Sequence, residues 1–364
     1  MLQTQTNIIS NFSTEALPPI YFYIAQEHWP KNFSPDNTDP QWIDRHWQLF
    51  NPGIFACTLQ TYVRLKADGF PCQLTGSMPT EGIVVAYHKS VFWTKWKPDS
   101  KVMLVCIVAD RSRRHPWAHF HVVLNPQELL SQDGYSIHNS YYIPHWAPQP
   151  GLIPRDSTRG DRFENVTFFG REQNLAPELK HPSWAEQLQA LGLRWQIAGE
   201  ESWNDYSTVD AVVAVRSFDN QDHTVRPALK LYNAWHAGVP AILGRESAFQ
   251  AERRNELDYL EATSPTQLLA MLQQLRDDVE LRRAMVDNGR LRARETQHYI
   301  LLNTWRCFLM GTVVPAYKRW REAPSFVQQS FQIKGRFTDS LERVTRRMPK
   351  LKFIQASTKV LTKV

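Results

Sequence analysis

Arg216, Arg226 and Lys230 are the residues whose types and spacing point most directly to chemistry. Arg226 and Lys230 lie four apart at the start of an expected helix, where the positive end of the helix dipole already favours an anion. Arg216 directly follows a short apolar run, Ala211 to Val215, and so sits at a strand end. Guanidinium and ammonium groups gathered in this way bind phosphate through charge-assisted hydrogen bonds. That is a phosphate-binding arrangement, and the residues alone leave open what carries the phosphate. Ser247, just beyond the following strand, adds a hydroxyl and a backbone N–H to the same rim.

These groups need a scaffold, and the surrounding sequence supplies one. Pro227 suits a first helical position, and Leu229, Tyr232, Trp235 and His236 recur at helical spacing. Gly238 is placed to end that helix in a left-handed conformation. Ala241 to Leu243 then reads as a buried strand too short to alternate, as parallel sheets prefer. Further strands are expected at 166–169, 193–197 and 211–215, with helices at 182–190, 265–275 and 279–296. This β-α-β series predicts a parallel Rossmann-like sheet, with Gly170-Arg171, Arg216-Ser217 and Gly244-Arg245-Glu246 at its carboxyl rim.

The first half of the chain is less regular. Strands are expected at 20–25, 72–75, 82–87, 101–108, 119–124 and 140–143, and a helix at 54–68 ended by Gly69. Residues 144–161 contain four prolines and two glycines, the composition of an interdomain connection. Tyr299 to Trp320 reads as a long apolar helix interrupted near Gly311 and Pro315. The expected organisation is a first α/β domain at 1–155, a second at 156–300, a helix at 301–326 and a basic tail at 327–364.

Charge narrows the function classes. The net charge is +6, but residues 331–364 hold nine Lys/Arg and two Asp/Glu, leaving 33 basic and 34 acidic residues elsewhere. A neutral body with a basic tail is not the pattern of a dedicated nucleic-acid-binding domain. The tail, with scattered aromatics, is compatible with a packing arm, a disordered segment or a weak contact with an anionic membrane, worth about 1 kcal/mol per basic residue. Cys57, Cys72, Cys106 and Cys307 form no C-x-x-C pair, which suits a reducing compartment. Neither a signal peptide nor an apolar run of ~18–20 residues is evident, so a cytoplasmic location, peripheral at most to the inner membrane face, is expected. His115, His119 and His121 lack a supporting cysteine or carboxylate pattern, and no metal is expected.

The order of motifs resembles nucleotide-sugar-dependent glycosyltransferases of the two-Rossmann, GT-B type, with a group 1-like second domain. The likeness rests on Lys230-Leu-x-Asn-Ala-x-x-Ala-Gly-Val-Pro-Ala-Ile242, on Gly170-Arg171, on Tyr259 to Leu268, on Asp277 to Arg283 and on the final helix, 299–320. It implies two Rossmann-like domains facing a central cleft, with the C-terminal helix crossing back to the first domain. It also implies a nucleotide-sugar donor and a glycan or lipid-linked acceptor, with Arg171, Arg216, Arg226, Lys230, Asn233, Glu246 and Ser247 on the donor side. Asn233 stands where many retaining members carry a glutamate.

For the acceptor side, His88 follows a buried strand and can exchange a proton near neutral pH, and Asp110 ends the strand that starts at Lys101. Plainer readings stand beside these. Arg226 can be a solvated helix-start residue, Arg216 can pair with Asp205 or Asp210, and Asn233 can be a helix-packing amide. Arg111, Arg113 and Arg114 fit a solvated loop by default. The same sequence also admits a sugar-nucleotide epimerase of this fold, or a non-catalytic glycan- or partner-binding module.

Overall fold

The computed structural model describes residues 17–36, 39–91, 98–110, 114–130, 139–219, 221–331, 333 and 335. The first unit runs β1 (Ile20–Tyr23), α1 (Gln41–Arg45), α2 (Gln60–Ala67), β2 (Gln73–Thr75), β3 (Gly82–Tyr87), β4 (Val102–Ile107), β5 (Phe120–Val123) and β6 (Ser140–Tyr142). Its six strands are parallel and ordered β2-β1-β3-β4-β5-β6. Every residue of β3 and β4 is buried, because both faces of a parallel sheet are covered and the strands have no polar side to alternate with.

The second unit runs β7 (Asn165–Phe169), α3 (Pro182–Ala190), β8 (Arg194–Ala198), β9 (Ala211–Ala214), α4 (Leu229–Ala237), β10 (Ala241–Gly244), α5 (Ser247–Glu252), β11 (Leu260–Ala262), α6 (Pro265–Asp277) and α7 (Val279–Ala293). Its five strands are also parallel, in the order β11-β10-β9-β7-β8. Both sheets therefore start in the doubly wound order second-first-third, and each has a switch point between its first and third strands. The short β11 and α5 are additions to the elements expected from sequence; neither is long enough to show a period.

The connection between the units crosses from one core to the other within two residues. Trp146 packs in the core of the first sheet, whereas Ala147 belongs to that of the second. The chain later returns. Helices α8 (His298–Phe308) and α9 (Val314–Glu322) place Leu301, Trp305, Phe308, Leu309, Val313 and Tyr317 in the same core as β1, β3 and β4. Tyr317 accepts a hydrogen bond from the Gly82 amide at 3.1 Å, and Trp320 donates to the Ser100 carbonyl at 2.7 Å. Near Gly311 the helix is continuous: a π-helical turn, Leu309–Val313, carries it into α9, with Pro315 in the first turn where its missing N–H is tolerated.

The described start of the tail packs on the first unit. Phe331 stacks on His119 with ring centroids 4.3 Å apart, and Trp320 meets the same imidazole edge-on at 4.8 Å. Most of the basic tail, and Arg111 and Arg113, lie outside the described residues. The histidine cluster is structural. His119 accepts from the Leu104 amide at 3.2 Å, His121 lies 3.1 Å from the His115 carbonyl, and burial lowers the pKa of both His119 and His121 to about 3. Among the described residues, no group of three or more His, Cys, Asp or Glu is placed to hold a metal. No described helix is long and apolar enough to cross a membrane.

Candidate anion site in the cleft

The anion-binding stretch folds as a turn, a helix and a strand. Arg226 closes a turn by donating its amide to the His223 carbonyl at 2.9 Å, and α4 begins two residues after Pro227 rather than at it. Ala228 accepts the first helical bonds from Leu231 and Tyr232, and no side chain caps the helix. Gly238 ends it with φ +68°, as its position predicts. The half-buried Lys230 thus lies in the first turn and points under the end of β7.

That end is shaped for it. Gly170, at φ +147°, directly follows β7 at the switch point, and a Cβ there would stand 3.4 Å from Lys230 Nζ. The ammonium lies 5.3 Å from the Phe168 ring centroid. Among the described residues, no carboxylate comes within salt-bridge distance of it. Desolvation, with the nearby Arg216 charge, brings the Lys230 pKa down to about 7, against weaker opposing pulls from Glu246 and Asp110.

Arg216, from the loop after β9, supplies the second cation. Its Nε lies 3.1 Å from Glu246 Oε2, and the two side chains are 15% and 3% exposed. Asp205 and Asp210 are not its partners; Asp210 is held by Arg155 and Arg159, with Arg159 Nη2 at 2.6 Å. Arg216 Nη1 is buried with no hydrogen-bond partner. A buried guanidinium N–H without an acceptor is costly unless something absent from the protein supplies one.

Arg226 reaches the other unit, where its Nη1 lies 2.9 Å from Asp110 Oδ2. Asn125, after β5, donates to the Arg226 carbonyl at 3.1 Å and to Ser247 Oγ at 2.9 Å. The Ser247 amide is engaged by the Asp222 carbonyl, so its hydroxyl proton is what it still offers. Lower in the cleft, Tyr142 on β6 meets Tyr232 Oη at 3.2 Å, and both donate to Glu252. Sequence reading missed Asn125, Tyr142 and Glu252, because the partners of the first two are ninety or more residues away and Glu252 sits on an unexpected helix.

Two expected donor-side residues are used otherwise. Arg171 is exposed and paired with Glu200 at 2.8 Å, leaving Gly170 as the residue of that pair beside Lys230. Asn233 is 2% exposed, and both its amide atoms are engaged by Gln149, at 3.0 and 2.8 Å. The amide fastens the interdomain connection to α4. On the acceptor side, His88 is 5% exposed and packs against Tyr87 at 4.3 Å between centroids. Asp110 is open but committed to Arg226.

A separate concavity of about 350 Å³ lies at the amino ends of the second sheet, lined in part by Arg155, His236, Gly238, Arg283 and Arg290. Arg155, Arg283 and Arg290 are paired there with Asp210, Asp161 and Asp287, and Arg282 donates to the backbone carbonyls of Arg276 and Asp161.

Two Rossmann-like units facing a cleft, joined by a C-terminal helix that returns to the first, form the GT-B arrangement. No protein-family model matches the chain, and no curated protein matches its sequence. Among solved structures, it is similar to HepE of Anabaena in complex with UDP-glucose, with TM-score 0.49 and 11% identity over 81% of this chain and 100% of that one. It is similar to sucrose-phosphate synthase from Thermosynechococcus elongatus, with TM-score 0.44 and 14% identity over 64% of this chain and 74% of the other. The pneumococcal O-GlcNAc transferase GtfA matches at TM-score 0.44 and 16% identity, over 70% of this chain and 60% of its own.

Proposed function

We propose that the protein is a glycosyltransferase that moves a sugar from a nucleotide-sugar donor to a hydroxyl of a glycan or lipid-linked acceptor. One observation carries this reading. At the switch point of the second sheet, Lys230 has no salt-bridging carboxylate among the described residues and Arg216 Nη1 is buried without an acceptor. Both face the rim of the first sheet, from which Asp110 and Asn125 reach across. Ligands of doubly wound sheets bind at this position, and a diphosphate would satisfy both cations.

The geometry supports the following roles. Lys230 and Arg216 take the diphosphate oxygens and stabilise the leaving nucleoside diphosphate; no metal ligand set is needed for that charge. Arg226 exchanges its Asp110 contact for a phosphate as the donor enters. Glu246 holds the Arg216 guanidinium in place, leaving Nη1 for the ligand.

The test is thermal unfolding against UDP-, GDP-, ADP- and CMP-sugars. A donor present at a hundred times its Kd stabilises by about 2.7 kcal/mol, a shift of several degrees. Saturable stabilisation by one base class, lost in Lys230→Ala, supports the reading; no response to any donor removes it. Formation of an epimerised donor without acceptor would replace transfer by epimerisation. Tight binding with the donor left intact would leave a non-catalytic binding module.

A further inference from the structure

Sugar transfer releases a proton from the acceptor hydroxyl. Of the two expected acceptor-side residues, His88 is 5% exposed beside Tyr87, and Asp110 is paired with Arg226 until a phosphate takes that guanidinium. The same rim carries a third group that sequence reading had placed in the interdomain connection. After β6 the chain passes through Ile143 and Pro144 to His145. The Ile143 amide donates to the Val123 carbonyl at 3.1 Å, and Trp146 Nε1 donates to Thr61 Oγ1 at 2.8 Å. His145 is therefore held between two anchored, buried neighbours.

Its tautomer follows from one contact. His145 Nδ1 lies 3.0 Å from the Trp146 carbonyl, which can only accept, so Nδ1 carries the proton and Nε2 keeps its lone pair. Nε2 makes no hydrogen bond among the described residues, and it is not among the sealed, unsatisfied buried atoms of the half-buried ring. The Asp110 charge favours the protonated form of both His145 and Lys230. Burial holds the ring neutral, while the Trp146 carbonyl and Asp110 favour the imidazolium once a proton arrives.

We infer, resting on the glycosyltransferase reading, that His145 Nε2 is the base that accepts the proton of the acceptor hydroxyl. The acceptor oxygen forms its bond to the anomeric carbon as the bond from that carbon to the phosphate oxygen breaks. The bonding pair leaves with the nucleoside diphosphate, and the hydroxyl proton passes to Nε2. The resulting imidazolium donates through Nδ1 to the Trp146 carbonyl and is favoured by the Asp110 charge.

The experiment follows nucleoside diphosphate release from UDP-glucose, GDP-mannose and ADP-glucose, with water supplying the accepting hydroxyl, by the full chain, His145→Ala and His145→Gln. With a donor the parent turns over, both variants are expected to lose about 100-fold in turnover. Calorimetric affinity for the corresponding nucleoside diphosphate should stay at the parent value. Added imidazole should restore part of the turnover to His145→Ala, which leaves a space, but not to His145→Gln. Unchanged turnover in either variant, or a loss in His145→Ala that imidazole does not relieve, overturns the role. If no sugar nucleotide stabilises the parent, or one does and is left intact, the glycosyltransferase reading fails and this role fails with it, before any variant is measured.

Discussion

Arg226 Nη1 lies 2.9 Å from Asp110 Oδ2, joining the second unit to the rim of the first across the cleft. The two side chains are 32% and 54% exposed, so water screens the pair and its contribution to folding is small, about 0–1 kcal/mol. Its consequence is for ligand binding, because an entering phosphate competes with Asp110 for the same guanidinium. Asp110→Asn should leave the unfolding midpoint nearly unchanged and tighten nucleoside diphosphate binding severalfold. Calorimetric titration checks this; weaker binding in Asp110→Asn would count against Arg226 as a phosphate ligand.

Lys230→Ala should weaken nucleoside diphosphate binding by ~1.5–3 kcal/mol, the range for hydrogen bonds to charged groups. The same substitution should not destabilise the free protein. Desolvation holds the folded-state pKa at about 7, below the ordinary value of 10.5, so folding disfavours the charged amine. The stability contributed by this group is therefore full above about pH 10.5, declines as pH falls towards 7, and is constant below. A bound diphosphate restores the charge, so binding between pH 7 and 10 should take up a proton. Titrations in buffers of different ionisation enthalpy measure that uptake directly.

Arg216 and Glu246 test the buried half of the site. Arg216→Ala leaves a carboxylate only 3% exposed without its counter-charge, a change that costs about 3–5 kcal/mol. Arg216→Ala with Glu246→Ala should recover part of that stability while still failing to bind nucleotide. A denaturant-unfolding double-mutant cycle, with binding followed in parallel, separates the structural loss from the functional one.

Gly170 tests the close approach of backbone to cation. At φ +147° a side chain is strained, and its Cβ would meet Phe168 at 3.2 Å and Lys230 Nζ at 3.4 Å. Gly170→Ala should lower the melting temperature and weaken nucleotide binding together. Arg171→Ala, one residue on, removes only an exposed pair with Glu200 and should change neither.

Much of the scaffold was legible because its signals are local. Fully apolar runs mark β3, β4, β9 and β10, and helical spacing closed by Gly238 marks α4. These depend on neighbours within one or two turns or on the two faces of a strand. Lys230 was identifiable for the same reason, since its place in the first helical turn follows from the chain around it.

What the tertiary structure decided is which of these groups meet. The strand order brings the ends of β7 and β9 together, so Lys230 and Arg216 converge while Arg171, adjacent in sequence to Gly170, turns to Glu200. It gives Arg216 to Glu246 rather than to Asp205 or Asp210, and closes Asn233 onto Gln149. The crossing between cores falls at Trp146 and Ala147, directly after His145. Local periodicity says which side of an element faces inward, but contacts between residues tens of positions apart depend on strand order and domain docking. That non-local choice, made by burying two sheets and a returning helix together, is what assembled the site.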